Sequence, residues 1–133
     1  MGSQSEVVLD TSILVAAGFN PRSASARIIE EVRAGRLSLM WNEDIRRESR
    51  VVVEQIPPLS WDRFAGLFGE GGHYAGQVHP ERVDHVSDPD DRKFAALAGA
   101  VDAVLVTNDD DLLGTQEGRD VLILTPDEFL ERR

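Results

Sequence analysis

Residues 7–12, Val7-Val8-Leu9-Asp10-Thr11-Ser12, join a short apolar run to an acid and two hydroxyl residues. A short, continuous apolar run is typical of a strand buried on both faces, as in a parallel sheet. Asp, Thr and Ser all favour the N-terminal cap of a helix, so we expect a helix over about residues 12–18. The stretch therefore predicts a strand-to-helix step, with Asp10 just past the carboxyl end of the strand.

The rest of the chain repeats this step. Further strands are expected at three apolar runs: 37–41, 103–106 and 121–124. Further helices are expected at five stretches with helical periodicity or helix caps: 23–34, 42–55, 60–69, 88–100 and a last one that begins at Thr125. A short edge strand is expected at about 82–86. Short strands that alternate with helices predict an α/β fold, a three-layer α/β/α sandwich around a central, mainly parallel sheet of four to five strands.

The size and composition of the chain predict one domain. Its 133 residues are 41% hydrophobic, which is enough for a real core. We therefore expect residues 1–133 to form a single domain, with residues 1–5 either disordered or left from an expression tag. No cysteine is present, so disulfides, a thiolate nucleophile and a Cys-ligated zinc site are excluded. The sequence has neither a long apolar run nor a basic leader, which favours a cytoplasmic protein without a membrane partner.

The charge of the chain admits several interpretations. Asp and Glu number 24 against 14 Lys and Arg, for a formal charge of −10. The overall field of such a protein does not attract a polyanion. The acids could provide solubility, bind a cationic substrate, or converge on divalent metals that offset their charge. The charge balance alone leaves all three open.

Three acids fall where an open parallel sheet gathers its ligands, beyond the carboxyl ends of the strands. Asp10 follows the first strand, Asp109 follows the third, and Asp91 lies in the first turn of a helix. Each of them could equally serve as an ordinary helix cap or turn residue. The residues alone therefore leave a carboxylate metal site and simple capping about equally open. Ligands that are all oxygen would select Mg²⁺ or Mn²⁺ over zinc.

Four segments resemble the motifs of the PIN-domain family, the nuclease fold of many toxin–antitoxin toxins, and they occur in the family's order. They are the strand and Asp-Thr-Ser of Val7–Leu14, the helix start Asp91–Ala96, the strand and acidic run Val104–Leu113, and the closing step Leu124–Leu130. Together they span nearly the whole chain.

The resemblance implies a set of metal ligands. Asp10, Glu48, Asp91 and Asp109 match the family's catalytic acids and would hold Mg²⁺ or Mn²⁺, with Asp111 as a supporting or outer ligand. Glu43 and Glu54 compete with Glu48 for the fourth place, and Asp88 is the fallback for Asp91. Glu48 could instead lie on a solvated helix face and pair with an arginine.

The resemblance also implies an activity: a metal-dependent endoribonuclease that cuts RNA to leave a 5′-phosphate and a 3′-hydroxyl. Such a protein would be the toxin of a toxin–antitoxin pair, with a cognate antitoxin as its partner, and a homodimer is expected. The expected RNA contacts are Thr11, Ser12, Arg46, Arg47 and Arg92, whose alternative roles are helix capping or surface solubility.

Two alternatives remain from the sequence. The first is a PIN-like module that binds or scaffolds without turnover. The second is another Mg²⁺-dependent phosphotransfer domain, a phosphatase or a receiver. A phosphatase would want an acid at position 12, which is Ser12, and a receiver would want a lysine after a late strand, whereas Lys93 is the chain's one lysine.

Overall fold

The computed structural model describes residues 5–83, 86, 88–113 and 121–133, without the side chains at positions 89, 90 and 111. Residues 1–4, most of the segment expected to be disordered or tag-derived, lie outside the described residues.

Four parallel strands form the sheet. They are β1 (Glu6–Leu9), β2 (Ser38–Leu39), β3 (Val104–Val106) and β4 (Ile123–Leu124). Their order across the sheet is β2-β1-β3-β4. Leu9 pairs with Val106 across β1 and β3, and Val106 pairs with Leu124 across β3 and β4. The predicted parallel sheet is confirmed.

Helices connect the strands. They are α1 (Thr11–Phe19), α2 (Ala24–Arg33), α3 (Glu43–Glu54), α4 (Pro89–Val101), α5 (Asp110–Leu113) and α6 (Pro126–Glu131). The local signals that predicted their starts are present: Ser23 and Asn42 cap α2 and α3, and Thr125 caps α6 in a reciprocal capping box with Glu128. None of the helices in the described part of the chain is long and apolar enough to cross a bilayer.

Alternate side chains of each strand enter cores on opposite faces of the sheet, which is the physical basis of the predicted three layers. Val7 and Leu9 pack on one face with residues of α1, α2 and α6, among them Phe129. Val8 and Leu105 pack on the other face with residues of α4 and α5. The sheet is therefore covered on both sides, which explains why its strands are continuously apolar.

The helix expected over 60–69 is wrong. Two short 3₁₀ turns, Trp61–Arg63 and Ala65–Leu67, replace it. Trp61, Phe64 and Leu67 are all buried. Their spacing of three residues matches the 3₁₀ period, so this geometry turns all three toward the core, whereas the longer α-helical period would fan them apart.

The edge strand expected at 82–86 is also wrong in the described residues. Pro80–Val83 forms a 3₁₀ helix instead. Val83 and Val86 are both buried, again three residues apart. The fixed φ of Pro80 suits a helical first turn, and that preference prevails over the β propensity of the valines.

Candidate active site

The site lies where the strand order reverses. From β1 the chain moves outward to β2 and then returns to β3 on the opposite side of β1. The carboxyl ends of β1 and β3 are therefore neighbours, and the backbone N–H of Asp10 donates to the carbonyl oxygen of Val106 at 3.1 Å. Such a switch point is where open α/β sheets bind their ligands.

Asp10 is held at this point by several hydrogen bonds. It caps α1 and accepts from the backbone N–H of Ser12 at 3.3 Å and from the Ser12 hydroxyl at 3.1 Å. The hydroxyl of Thr107 also donates to it. Asp10 is only 6% exposed, and this burial raises the pKa of its carboxyl despite the hydrogen bonds that oppose the rise. The negative charge of Asp109 adds to the same effect.

Asp91 and Asp109 complete a group of three acids with Asp10. Burial raises the pKa of Asp91 to about 7, helped by the charge of Asp109, a hydrogen bond with its side chain, and the charge of Asp10. The fallback residue Asp88 is exposed and contributes a weaker repulsion. The three predicted aspartates are therefore close enough for their charges to interact: Asp109 acts on both Asp10 and Asp91, and Asp10 acts on Asp91.

Thr107 belongs to the site, although we did not single it out from the sequence. It is completely buried, donates to Asp10, and accepts from the backbone N–H of Asp109 at 2.9 Å. Thr107 therefore joins two of the three acids. The signal available in the sequence was a hydroxyl residue directly after a buried strand, in the same position relative to β3 as Asp10 has relative to β1.

Glu48 lies on α3 and faces α4. Its carboxylate is 3.5 Å from the Lys93 ammonium, which also lies 3.7 Å from Asp44. Lys93 and Asp91 both lie on α4, so the Glu48 carboxylate is paired with a cation of the helix that also carries one of the acids. Its competitors are engaged at the surface: Glu43 pairs with Arg46 at 2.7 Å.

The other competitor, Glu54, pairs with Arg50 at 3.2 Å, and about half of the Glu54 side chain is exposed. The side chain of Asp111, the predicted supporting ligand, lies outside the described residues.

The predicted RNA contacts are divided among several places. Ser12 reaches the acids through Asp10. Thr11 is buried, and its hydroxyl shares a 2.8 Å hydrogen bond with Ser49. The three arginines are engaged elsewhere: Arg46 with Glu43, Arg47 with Asp44, and Arg92 with the carbonyl oxygen of Val86.

The chemistry of the three acids suits a divalent cation. All donors are carboxylate oxygens, the ligands that Mg²⁺ and Mn²⁺ prefer. Burial and the charges of Asp109 and Asp10 raise the pKa of Asp91, and a cation would relieve the repulsion between these charges. Among the described side chains, however, no group of three or more acids and histidines already stands in a metal-binding arrangement. The donors therefore match the cation in type and charge, and binding would require them to adjust.

The family model for the PIN domain matches residues 6–111. The chain belongs to the PIN-domain family. The matched region begins with β1 and extends into α5, so it contains Asp10, Glu48, Asp91 and Asp109. PIN domains are generally nucleases, and this one has the corresponding α/β fold. Comparisons with curated proteins and with solved structures gave no match.

Proposed function

We propose that this PIN domain is a Mg²⁺- or Mn²⁺-dependent endoribonuclease that hydrolyses phosphodiester bonds in RNA. The observation that carries the proposal is the convergence of Asp10, Asp91 and Asp109 near the switch point between β1 and β3, where burial and the charges of Asp109 and Asp10 raise the pKa of Asp91 to about 7. A protein that only needed helix caps would have no reason to gather three acids at a cost in repulsion.

The three aspartates would hold the cation. When bound, the ion supplies a water of lowered pKa as nucleophile and offsets charge on the phosphoryl oxygens. Ser12 and Thr107 fix the orientation of the Asp10 carboxylate, because each donates a hydroxyl hydrogen bond to it. The fold therefore determines how the Asp10 carboxylate would face the cation.

Glu48 is proposed as the fourth ligand. Its carboxylate pairs with Lys93 beside α4, and a quarter of the Glu48 side chain is exposed. A carboxylate that is merely paired with a flexible ammonium can be transferred to a cation at modest cost. Asp111 remains proposed as a supporting ligand.

The biological role is proposed from the family resemblance. We propose that the protein is the toxin of a toxin–antitoxin pair and that it forms a homodimer. Size-exclusion chromatography with light scattering would test the dimer, and co-expression with the product of an adjacent gene would test the antitoxin.

The experiment that tests the activity uses a single-stranded RNA with a 5′ label and a 3′ label in separate reactions. We expect cleavage with Mg²⁺ or Mn²⁺, products with a 5′-phosphate and a 3′-hydroxyl, and complete loss of cleavage with EDTA. Asp10→Asn should abolish cleavage, since the variant keeps the helix cap and removes the ligand charge. Asp62→Asn, at an exposed acid on a 3₁₀ turn, is the matched control and should cleave normally.

A second candidate function is a PIN-like module that binds without turnover. One observation favours it: the described acids do not already form a metal-binding group. The same experiment separates the two functions. Metal and RNA binding without cleavage at any Mg²⁺ or Mn²⁺ concentration would support the binding module and refute the nuclease.

A further inference from the structure

A groove of about 780 Å³ is lined by residues that adjoin two of the acids: Ser12 near Asp10, and Asn108 and Asp110 on either side of Asp109. It connects to these acids through two residues that line it, Ser12 and Asn108. The Ser12 hydroxyl donates to Asp10 at 3.1 Å and accepts from the backbone N–H of Asn108 at 3.1 Å. A ligand in this groove would therefore lie next to any group held by the acids.

The groove has one wall of uncharged hydrogen-bonding groups. The side-chain amide of Asn108 donates to the hydroxyl of Ser25 at 3.2 Å, and Ser25 is almost completely buried. This contact fixes the amide plane of Asn108, although the residue as a whole is exposed. An oriented amide presents both a donor and an acceptor, which is the combination that reads the edge of a nucleobase.

Another part of the lining is aliphatic. It is formed by side chains of α1, α3 and α5: Val15, Ala16, Val52 and Leu113. All four are partly exposed where they meet the groove. Partly exposed aliphatic groups beside fixed polar groups are typical of a ligand site, because the apolar surface gains burial and the polar groups determine orientation.

The charge of the groove limits its occupant. Among the described residues that line it, the charged ones are Asp110 and Asp127, and none is a lysine or an arginine. Two carboxylates without a cation repel phosphate and accept N–H donors. The occupant should therefore be uncharged or cationic and should offer N–H donors, and the amino and ring N–H groups of a nucleobase meet this requirement.

We propose that this groove is a subsite for one unpaired nucleobase of the RNA, adjacent to the phosphate that is cleaved. The inference rests on the proposed ribonuclease function and adds how the substrate is selected. The acids and their cation take the phosphate, the aliphatic side chains contact the face of the base, and Asn108 and Asp127 contact its edge. Recognition of a base that is turned away from its neighbours requires a single-stranded substrate. Contact with the base also explains how an acidic protein could bind RNA with few contacts to phosphate.

The test measures binding of the four nucleoside 5′-monophosphates and of ribose 5-phosphate by calorimetry in the presence of Mg²⁺. We expect at least one nucleotide to bind about tenfold more tightly than ribose 5-phosphate, the difference expected for the base contact. Val52→Phe, which fills the groove, should weaken nucleotide binding by about tenfold and leave ribose 5-phosphate unchanged. Val51→Phe is the matched control, because Val51 is the exposed neighbour that does not line the groove.

A second pair of variants tests the edge contact. Asp127→Asn should change the order of affinity among the four nucleotides, since it replaces an acceptor with a group that also donates. Glu131→Gln, on the same helix but outside the groove, should leave that order unchanged.

The outcomes separate this inference from the proposed function. Equal binding of nucleotides and ribose 5-phosphate, with no effect of Val52→Phe, would overturn the base subsite. If the wild-type protein still cleaved RNA, the ribonuclease function would stand without the subsite. Base-dependent binding with no RNA cleavage would support the subsite and refute the nuclease.

Discussion

The hydroxyl of Thr107 donates a hydrogen bond to the carboxylate of Asp10, and the two residues are 97 positions apart in the chain. Each residue directly follows a strand, Asp10 after β1 and Thr107 after β3. Thr107 also accepts from the backbone N–H of Asp109 at 2.9 Å. The buried hydroxyl of Thr107 thus links Asp10 to Asp109, and the relative position of these two acids depends on it.

Thr107→Val should therefore impair the site while preserving the fold, because valine keeps the branched shape and loses the hydroxyl. We expect Mg²⁺-dependent cleavage to fall by about 10–100-fold, the usual effect of removing a group that orients a metal ligand. Thr107→Ser should restore most of the activity. The measurement is the cleavage rate of the wild type and both variants over a Mg²⁺ titration. Thermal unfolding of each protein checks that it is folded. Equal activity of the valine and wild-type proteins would show that Thr107 is only a packing residue.

The stability of the metal-free protein should fall as the pH rises towards about 7. The pKa of Asp91 is about 7 in the folded state and near 3.8 when unfolded, so the folded protein binds the proton more tightly. The contribution of Asp91 to the free energy of unfolding is therefore highest below about pH 3.8, falls as the pH rises from there to about 7, and changes little at higher pH. Because Asp91 is partly exposed, screening reduces the effect to roughly 1 kcal/mol, or about 4 °C in Tm.

Thermal unfolding in EDTA at pH 6 and pH 8 checks this prediction. Asp91→Asn should unfold at a higher temperature than the wild type at pH 8 and should lose much of the pH dependence. Asp62→Asn, an exposed acid away from the site, should behave like the wild type. A wild-type Tm that rises between pH 6 and pH 8 would contradict the prediction.

Binding of Mg²⁺ should release a proton below pH 7. Asp91 is largely protonated at pH 6 because its pKa is about 7, and a cation ligand must be deprotonated. We expect about one proton per bound ion at pH 6 and markedly fewer at pH 8. Calorimetry in two buffers with different ionisation enthalpies measures the number of protons released per bound Mg²⁺. A count that does not change with pH, or that persists in Asp91→Asn, would exclude Asp91 as the source.

Lys93→Met should strengthen Mg²⁺ binding if Glu48 is the fourth ligand. The ammonium lies 3.5 Å from the Glu48 carboxylate and competes with a cation for it. A partly exposed ion pair contributes up to about 1 kcal/mol, so the gain should be at most about fivefold. Glu48→Gln should weaken binding. Arg47→Met, which removes the surface pair with Asp44 at 3.8 Å, is the control and should have no effect.

Local signals predicted most of the elements and indicated the three aspartates that the structure brings together. Asp10 caps α1 through contacts with Ser12, only two residues away, and the capping box at Thr125 and Glu128 spans three residues. Such hydrogen bonds form within one turn, so residue types and their spacing are enough to indicate them. The α-helix expected over 60–69 is wrong because the burial of Trp61, Phe64 and Leu67 against the rest of the protein favours 3₁₀ turns there.

By itself, the sequence determined that short buried strands alternate with helices and that acids follow the strands. Tertiary structure alone decided that β3 lies beside β1 and β2 lies on the other side, because that order depends on packing between distant segments. This order brings Thr107 to Asp10, and tertiary packing buries Asp91 close to the charges of Asp109 and Asp10, which raises the pKa of Asp91. The placement of Glu48 against Lys93 likewise arises from the packing of α3 on α4. Contacts between residues close in the chain can be inferred from the residues, whereas contacts across the sheet are set by how the layers bury their apolar faces.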